Sequence, residues 1–554
     1  MTSERLIYLP LGGAGEVGMN AYVYGYGEPG AERLILVDLG VTFGDMDGSP
    51  GVDLIFPDVA WLAERKDRIE AIFVTHAHED HVGAVGHLSD RIGNPPIYCR
   101  AFTAIHARRK LEEQGRDDRV VRVVGAMEEV TAGPFTCRFM PVAHSIPEAS
   151  AVLIDTPVGR LLHTGDFKTD ETPVLGEAHD PDLWRREAGD GLHALICDST
   201  NVNVDRPGRS ESLVRPEIER LVREADGMVV ATTFASNVAR VKSMAEAGNA
   251  AGRSVCLLGR AMQRMVAAGV EAGLLKDFPP IVQIEEARDL PRGDLMLIVT
   301  GSQGERRAAS AQLSRGKYLG IEVAENDTFL FSSKTIPGNE RGVLAIQNAF
   351  SEMGVRVLDD DGGRYHVSGH ANGPDIKSVH DLTRPRMVIP MHGDHMMLAG
   401  HARMASAAGI ATAVAPNGTM LDITGPEPKV AEYVETGRIY LDGSVKIGAM
   451  DGVVRDRIRM ALNGHAIVTL IIDEDGEALG EPWVETMGLP ETGRTGELVE
   501  VLERKLDAWV QRAGRKGLKD DDEVDEQLRR TLRNAANDEI GKKPEVTVII
   551  SRLG

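Results

Sequence analysis

Four residues able to bind a metal ion stand within six positions, His76-Ala77-His78-Glu79-Asp80-His81, directly after the apolar run AIFVT. Imidazole suits zinc and related ions, and a carboxylate tolerates bridging and harder ions. A strand ending at Thr75 would deliver the segment into a loop. There His76 and His78 can turn toward one ion while Asp80 and His81 serve another. The motif therefore constrains the fold: a strand must end where other metal-binding side chains can converge on it.

The chain repeats that arrangement. RLIYLPL, NAYVYGY and RLILVDLG read as strands. RLILVDLG with Asp38, and then IEAIFVTHAHEDH, FTCRFMPVAHSIPEAS, GRLLHTGDF and GLHALICDST, each run from an apolar strand into a polar loop, so five strand ends in succession carry Asp or His. From about 210 the texture changes. SESLVRPEIERLVREA predicts an amphipathic helix with a serine N-cap. MVVATTFASN, SVCLLGR and LMLIVTGSQGE are apolar strands separated by helical stretches, the pattern of a parallel α/β domain. VRVLDD and MVIPMHGDH return to strands, and MMLAGHARMASAAG reads as a helix. Residues 430–460 look like a connector. NGHAIVTLIID, helices around 496–514 and 520–540, and the strand EVTVIISRL then make a smaller unit. The acidic stretch at 519–526 reads as a solvated helix start.

Gly13, Gly15 and Gly18 spell GxGxxG with Asp38 twenty residues beyond, but the strand-like MNAYVYGYG follows where a dinucleotide site needs a helix. Tight turns between the opening strands are expected instead. The 554 residues suffice for two or three domains. Cys99, Cys137, Cys197 and Cys256 lack metal-site spacing, and the last three sit in apolar runs, as buried free thiols in a reducing compartment do. No stretch approaches the roughly 20 apolar residues of a membrane span, so a soluble, cytoplasmic protein is expected. The formal charge of −22 argues against a broadly basic nucleic-acid-binding surface. It leaves room for a local groove, for which Arg260, Arg306, Arg307 and Arg315 are candidates; Lys168 reads equally well as a surface charge.

HxHxDH in this context resembles the signature of the metallo-β-lactamase superfamily. That resemblance implies that His144 in VAHSIPEAS and Asp166 in HTGDFK join His76, His78, Asp80 and His81 around two metals, with Asp166 as the bridge. Asp38 in VDLG would orient the loop without binding metal. The last ligand would be His392 in PMHGDH, 226 residues after Asp166. Such a gap requires an inserted domain, and this resembles the nucleic-acid-cutting β-CASP branch. Within it, LGGAGEVGMN, HTGDFKTD, CDSTNVNVDRPGRSES, TTFASNVAR, TGSQGE, HVSGHA and PMHGDH are similar to the bacterial ribonuclease J family over essentially the whole chain. Arg306, Arg307 and Ala308 depart from its usual proline followed by small or apolar residues, without touching an implied ligand.

The implied architecture is α/β. A metallo-β-lactamase αββα sandwich is formed by 1–210 and 368–450, the latter including a linker. An inserted β-CASP α/β domain spans 211–367, and a small α+β C-terminal domain spans 460–554. The resemblance implies two Zn2+ per subunit, with Mn2+ or Mg2+ as other possible ions. It also implies single-stranded RNA as substrate, and a homodimer or tetramer within an RNA-degrading assembly. Catalysis would fall to Asp80, Asp166 and His370, with Asp198 as an orienting residue. Ser236, Ser302, His366, Ser368, Gly369 and His370 would contact phosphate or RNA. The implied activity is 5′→3′ exonuclease action preferring a 5′ monophosphate, together with internal cutting, in RNA maturation and mRNA decay. A DNA-processing β-CASP nuclease and a small-molecule metallo-hydrolase are the alternatives.

Overall fold

Neighbouring residues along the central strands are sorted to opposite sides. Phe139, Ile196 and Ile389 enter one buried cluster, while Met140, Leu195 and Val388 enter another. Period-two strands covered on both faces produce this pattern. The computed structural model describes residues 4–336 and 338–553, and the described chain divides into two compact units. One is the stretch through Thr42 together with Phe56–Arg438; the other is Phe43–Ile55 together with the chain from Ile439.

In the larger unit an eight-stranded sheet runs Lys429–Tyr433, Thr419–Asp422, Arg5–Gly12, Ala21–Gly27, Arg33–Val37, Ile69–Phe73, Ile97–Cys99, Val121–Val123. A seven-stranded sheet runs Ala411–Thr412, Met387–Met391, Ala194–Asp198, Arg160–His163, Ser150–Asp155, Phe135–Pro141, Glu129–Ala132. Tyr8, Tyr22, Tyr24, Phe73, Phe135 and Phe139 fill the layer shared by the two sheets. Residues of the second sheet's other face pack with Trp184, Ile376 and Val379 from helices. This is the metallo-β-lactamase sandwich.

The inserted region begins after Ala194–Asp198 and ends before Met387–Met391, yet these two strands are parallel neighbours, with Asp198 opposite Met391. That register delivers His392 beside the residues following Asp198. Between them lies a five-stranded parallel sheet in the order Ser254–Leu258, Leu295–Val299, Val229–Thr232, Thr328–Phe331, Arg356–Leu358. Its first strand in sequence, Val229–Thr232, is central. The winding therefore reverses there, the position at which open α/β sheets bind ligands at their strand ends.

The segment predicted as one helix from Ser210 is broken. A 3-10 turn at Glu211–Leu213, capped by Ser210, precedes the helix Arg215–Glu224. Glu211 is drawn inward by a buried ion pair with Arg240. The GxGxxG glycines all take positive φ; Gly13 and Gly18 lie in turns, whereas Gly15 ends the two-residue strand Ala14–Gly15 that pairs with Gly393–Asp394. The four cysteines are buried and unpaired.

In the smaller unit, His465–Ile472 pairs antiparallel with Trp483–Met487 and parallel with Glu545–Arg552. Ala466, Val468, Leu470 and Ile472 meet Leu498, Leu502 and Leu506 of one helix, and Val524, Leu528 and Leu532 of the next. The acidic stretch is a helix start: Asp520 caps Asp521–Ile540 by accepting from the amides of Asp522 and Glu523. Among the described residues no helix is long and apolar enough to cross a membrane.

Behind the seven-stranded sheet, His380 and His401 form a buried pair with their Nε2 atoms 3.0 Å apart. Ser199 gives its hydroxyl proton to the Cys197 carbonyl, so it accepts from His401 Nδ1 at 2.9 Å. His401 then has only a lone pair at Nε2, and His380 must donate to it. Burial lowers His380 to about 4, from a starting value of 6.5. Its contribution to stability is therefore complete above about pH 6.5. It is expected to fall by about 1.4 kcal/mol per pH unit as the pH drops from there toward the folded value. Urea melts of metal-free protein at stepped pH should show a slope that His380→Gln reduces by about this amount, the other buried histidines supplying the rest. An equal slope in that variant would reject the assignment.

Candidate metal centre

The strand Ile69–Phe73 hands the chain to His76–His81, and a short helix begins at Glu79. The segment is fixed from one side by the turns after the opening strands. Asn20 N donates to Asp80 O, Leu39 N to His81 O and Val41 N to Glu79 O. Gly40 passes so close that a Cβ there would lie 1.7 Å from Asp80 O, so only glycine allows the approach.

Two groups of donor atoms draw on this segment, and Asp198, His370 and His392 make a third beside them. His76, His78, His144 and Asp166 form one, and Asp80, His81, Asp166 and His392 the other; the atoms of each lie within 4.8 Å of one another. In the first, His78 Nδ1 is 3.0 Å from His76 Nε2 and 3.2 Å from His144 Nε2. Tetrahedral nitrogens around zinc are separated by about 3.3 Å. In the second, Asp80 Oδ2 is 3.5 Å from His81 Nε2 and 3.3 Å from His392 Nε2. Asp166 serves both: Oδ2 is 3.7 Å from His76 and His144 and 3.3 Å from His81, while Oδ1 is 3.6 Å from His392.

These residues fit a pair of divalent cations. Asp166 Oδ1 is buried without a hydrogen-bond donor, and imidazole nitrogens converge where no proton can satisfy them all. Burial, with repulsion from neighbouring imidazoles, lowers His76 and His144, and His78 falls to about 4. They are neutral, the form that binds metal. Burial opposes charge on Asp166, but His392, His81 and His370 outweigh it and hold the carboxyl well below its ordinary range. His81 is likewise raised against burial by Asp166, Asp80 and Asp38.

The nitrogens facing away from the centre are tied down. His81 Nδ1 meets Asp38 Oδ2 at 2.7 Å, and Asp38 also accepts from the amide and hydroxyl of Thr75. His144 Nδ1 donates to Gly369 O at 2.7 Å. A Cβ on Gly369 would come within 2.8 Å of the His144 ring, so the HVSGHA turn can reach His144 only through glycine. Such partners fix ring orientation and tautomer. Asp38 stands outside both donor groups, against the outward-facing nitrogen of His81.

The same turn places His370 over the centre. Its Nδ1 is 2.7 Å from Asp198 Oδ2 and its Nε2 is 3.9 Å from Asp166 Oδ2. Burial disfavours its charged form, but Asp198 and then Asp166 prevail and push it up to about 9. Ser368 Oγ accepts from the His370 amide and from Asn201 Nδ2. His366 is lowered to about 3 by burial and by the charges of Arg240, Lys168 and Lys334. Ser236 and Ser302 lie in the loops following two strands of the inserted sheet. Lys168 is no surface charge: it is buried and its ammonium pairs with Asp170 at 3.0 Å. Arg260, Arg306, Arg307 and Arg315 are exposed.

Sequence reasoning passed over Asn20, Thr75 and Thr200. Asn20 Nδ2 contacts Asp80 O and His81 Nε2, each at 3.0 Å, while its Oδ1 accepts from Tyr22. Its place at the end of LGGAGEVGMN was the available signal.

Family models match in chain order: the metallo-beta-lactamase superfamily at 14–199, the ribonuclease J beta-CASP domain at 226–350, the Zn-dependent metallo-hydrolase RNA specificity domain at 364–416 and the ribonuclease J C-terminal domain at 452–553. The chain is 38% identical to ribonuclease J of Sinorhizobium meliloti, over 99% of this chain and 98% of that one. Against ribonuclease J of Mycobacterium tuberculosis the figures are 32%, 99% and 97%, and against that of Thermus thermophilus 33%, 85% and 83%. A solved protein of unknown function from Enterococcus faecalis shares the fold at a TM-score of 0.51 and 15% identity, covering 76% of this chain and all of that one. With its relatives matched nearly end to end, and with a sandwich, an insertion and a His/Asp centre in family order, this chain belongs to the ribonuclease J family.

Proposed function

We propose that the chain is a metal-dependent ribonuclease that hydrolyses RNA phosphodiester bonds, trimming 5′→3′ from a 5′ monophosphate and also cutting internally. The observation that carries this reading is the double donor set sharing Asp166, with His370 beside it. His76, His78, His144 and Asp166 would hold one Zn2+, and Asp80, His81, His392 and Asp166 the other. Bound there, such a pair supplies a water of lowered pKa and positive charge against the phosphate. Asp166 and Asp80 keep their negative charge in the centre. His370, protonated and braced by Asp198, donates a hydrogen bond to the phosphate or a proton to the leaving oxygen.

The 5′ phosphate pocket is assigned to His366, Ser368, Gly369 and His370 on one turn, with Ser236 and Ser302 from the inserted sheet. The exposed arginines 260, 306, 307 and 315 would add salt-dependent affinity along the strand. The protein is assigned to the cytoplasm as a homodimer, able to assemble into tetramers and to join an RNA-degrading assembly in RNA maturation and mRNA decay. The domain limits are those given by the sequence: core 1–210 and 368–450, insertion 211–367 and C-terminal domain 460–554.

The test is a time course on one RNA labelled along its length, carrying a 5′ monophosphate or triphosphate, with His78→Ala as control. Mononucleotides should appear faster from the monophosphate form. Internal fragments indifferent to the 5′ group would make the enzyme chiefly an endonuclease. Cleavage no faster than the His78→Ala background with zinc, manganese or magnesium would overturn the proposal.

A further inference from the structure

Asp198-Ser199-Thr200-Asn201 follows directly on a strand of the seven-stranded sheet, and its side chains reach different partners. Asp198 holds His370, Ser199 accepts from His401, and Asn201 donates to Ser368. Thr200 stands between the two histidines that come from the far side of the insertion. Its Oγ1 is 2.7 Å from Asp198 Oδ1 and 2.8 Å from His392 Nδ1. An ionised carboxylate only accepts, so the single hydroxyl proton goes to Asp198. The oxygen must then accept from His392 Nδ1–H. This leaves His392 Nε2 with its lone pair turned toward Asp80 and Asp166. The other oxygen of Asp198 receives His370 Nδ1–H at 2.7 Å. One line of hydrogen bonds thus runs from His392 through Thr200 and Asp198 to His370.

We infer that the Thr200 hydroxyl is a positioning group coupling His392, presented to the second cation, to the phosphate-facing His370. The inference rests on the proposed two-metal reading for its ligand and its reaction. His392 needs such a group because its ring is buried away from solvent and the next acceptor, Asp198 Oδ1, stands 3.7 Å from Nδ1, beyond hydrogen-bond reach. Without the hydroxyl, the ring can carry its proton on Nε2, the atom that must be bare to bind metal. Asp198 would keep its bond from the Thr200 amide at 2.9 Å, but its carboxylate would lose the hydroxyl that sets its rotation toward His370. Valine matches threonine in shape and lacks the hydroxyl; serine keeps the hydroxyl and loses the methyl.

The full chain, stripped of metal, is titrated with Zn2+ against a chromophoric chelator as wild type, Thr200→Val and Thr200→Ser. Thr200→Val should bind one equivalent as wild type does and the second about 10–100-fold more weakly, and Thr200→Ser should restore it. With saturating Zn2+, Thr200→Val should lower kcat on 5′-monophosphorylated RNA about tenfold with little change in KM. In a His370→Ala background that kcat effect should vanish. Unchanged zinc binding in Thr200→Val overturns the inference, as does equal loss in the serine and valine variants accompanied by equal loss of melting temperature. A kcat effect undiminished by His370→Ala overturns the coupling. If the wild type binds two Zn2+ but cuts no RNA, the proposed function fails while the zinc titrations still decide the role of Thr200.

Discussion

Asp166→Asn is expected to lose tightly held metal and to cut RNA more than about 100-fold more slowly than wild type. The substitution keeps the shape and removes only the charge. Asp166 is the one carboxylate placed against both donor groups, and His392, His81 and His370 all hold it ionised. A neutral amide leaves two cations sharing only the charge of Asp80, with a worse bridging oxygen. Residues that merely orient a ligand cost about 10–100-fold in affinity or activity when removed, so a shared ligand should exceed that range. Asp38→Asn provides the contrast. Asp38 is completely buried and bonds His81 Nδ1 and Thr75, outside both donor groups. Its loss should fall within the 10–100-fold range and be partly recovered by excess zinc. Metal content after gel filtration, with RNA decay on the same samples, separates the two. Retention of two ions by Asp166→Asn, with cleavage within tenfold of wild type, would show that Asp166 is not the bridge.

The sequence made some of this visible and hid the rest for physical reasons. Four converging side chains lie in one hexapeptide and stand out by density alone. His144 and His392 are isolated histidines whose meaning comes from pairing distant strands, so only resemblance to a family picks them out. The strands and the C-terminal helices were legible because period-two and period-3.6 burial is written locally. Lys168 misled because its charge suggests exposure, whereas its burial depends on Asp170, two positions along. Thr200 and Asn20 are commonplace polar residues, significant only once a strand register or a glycine turn sets them against a histidine. Ser210 was read correctly as a cap, yet it caps a separate 3-10 turn ahead of the helix Arg215–Glu224, since a local propensity of about 1 kcal/mol yields to an ion pair formed across the fold.

That ion pair gives the largest stability effect to be expected away from the metal centre. Arg240 is fully buried on the helix Val238–Ala250, a position where periodicity alone predicts an apolar residue. Its Nε and Nη2 donate to the two oxygens of Glu211 at 2.5 and 2.8 Å, and its Nη1 to Ser332 Oγ and Tyr365 O at 2.7 and 2.9 Å. Glu211 N in turn donates to Asp170, four residues after Asp166. The guanidinium therefore ties the loop that follows Asp166 to the strand end at Ser332 and to the segment leading through His366 to His370. Glu211→Met strands a buried cation and should cost about 3–5 kcal/mol, since removing one partner leaves the other uncompensated. Adding Arg240→Met removes that charge too and should return much of the loss, as apolar replacements of buried ion pairs often do. Activity should not return with it, because the segment before His370 then keeps only the bond from Ser332 Oγ to Tyr365 O and loses the guanidinium that tied both to Glu211. Urea unfolding and RNA cleavage on the single and double variants test both halves. A double variant that recovers stability and full cleavage together would make the pair structural only. A Glu211→Met variant within about 1 kcal/mol of wild type would mean that the guanidinium finds its charge balance elsewhere.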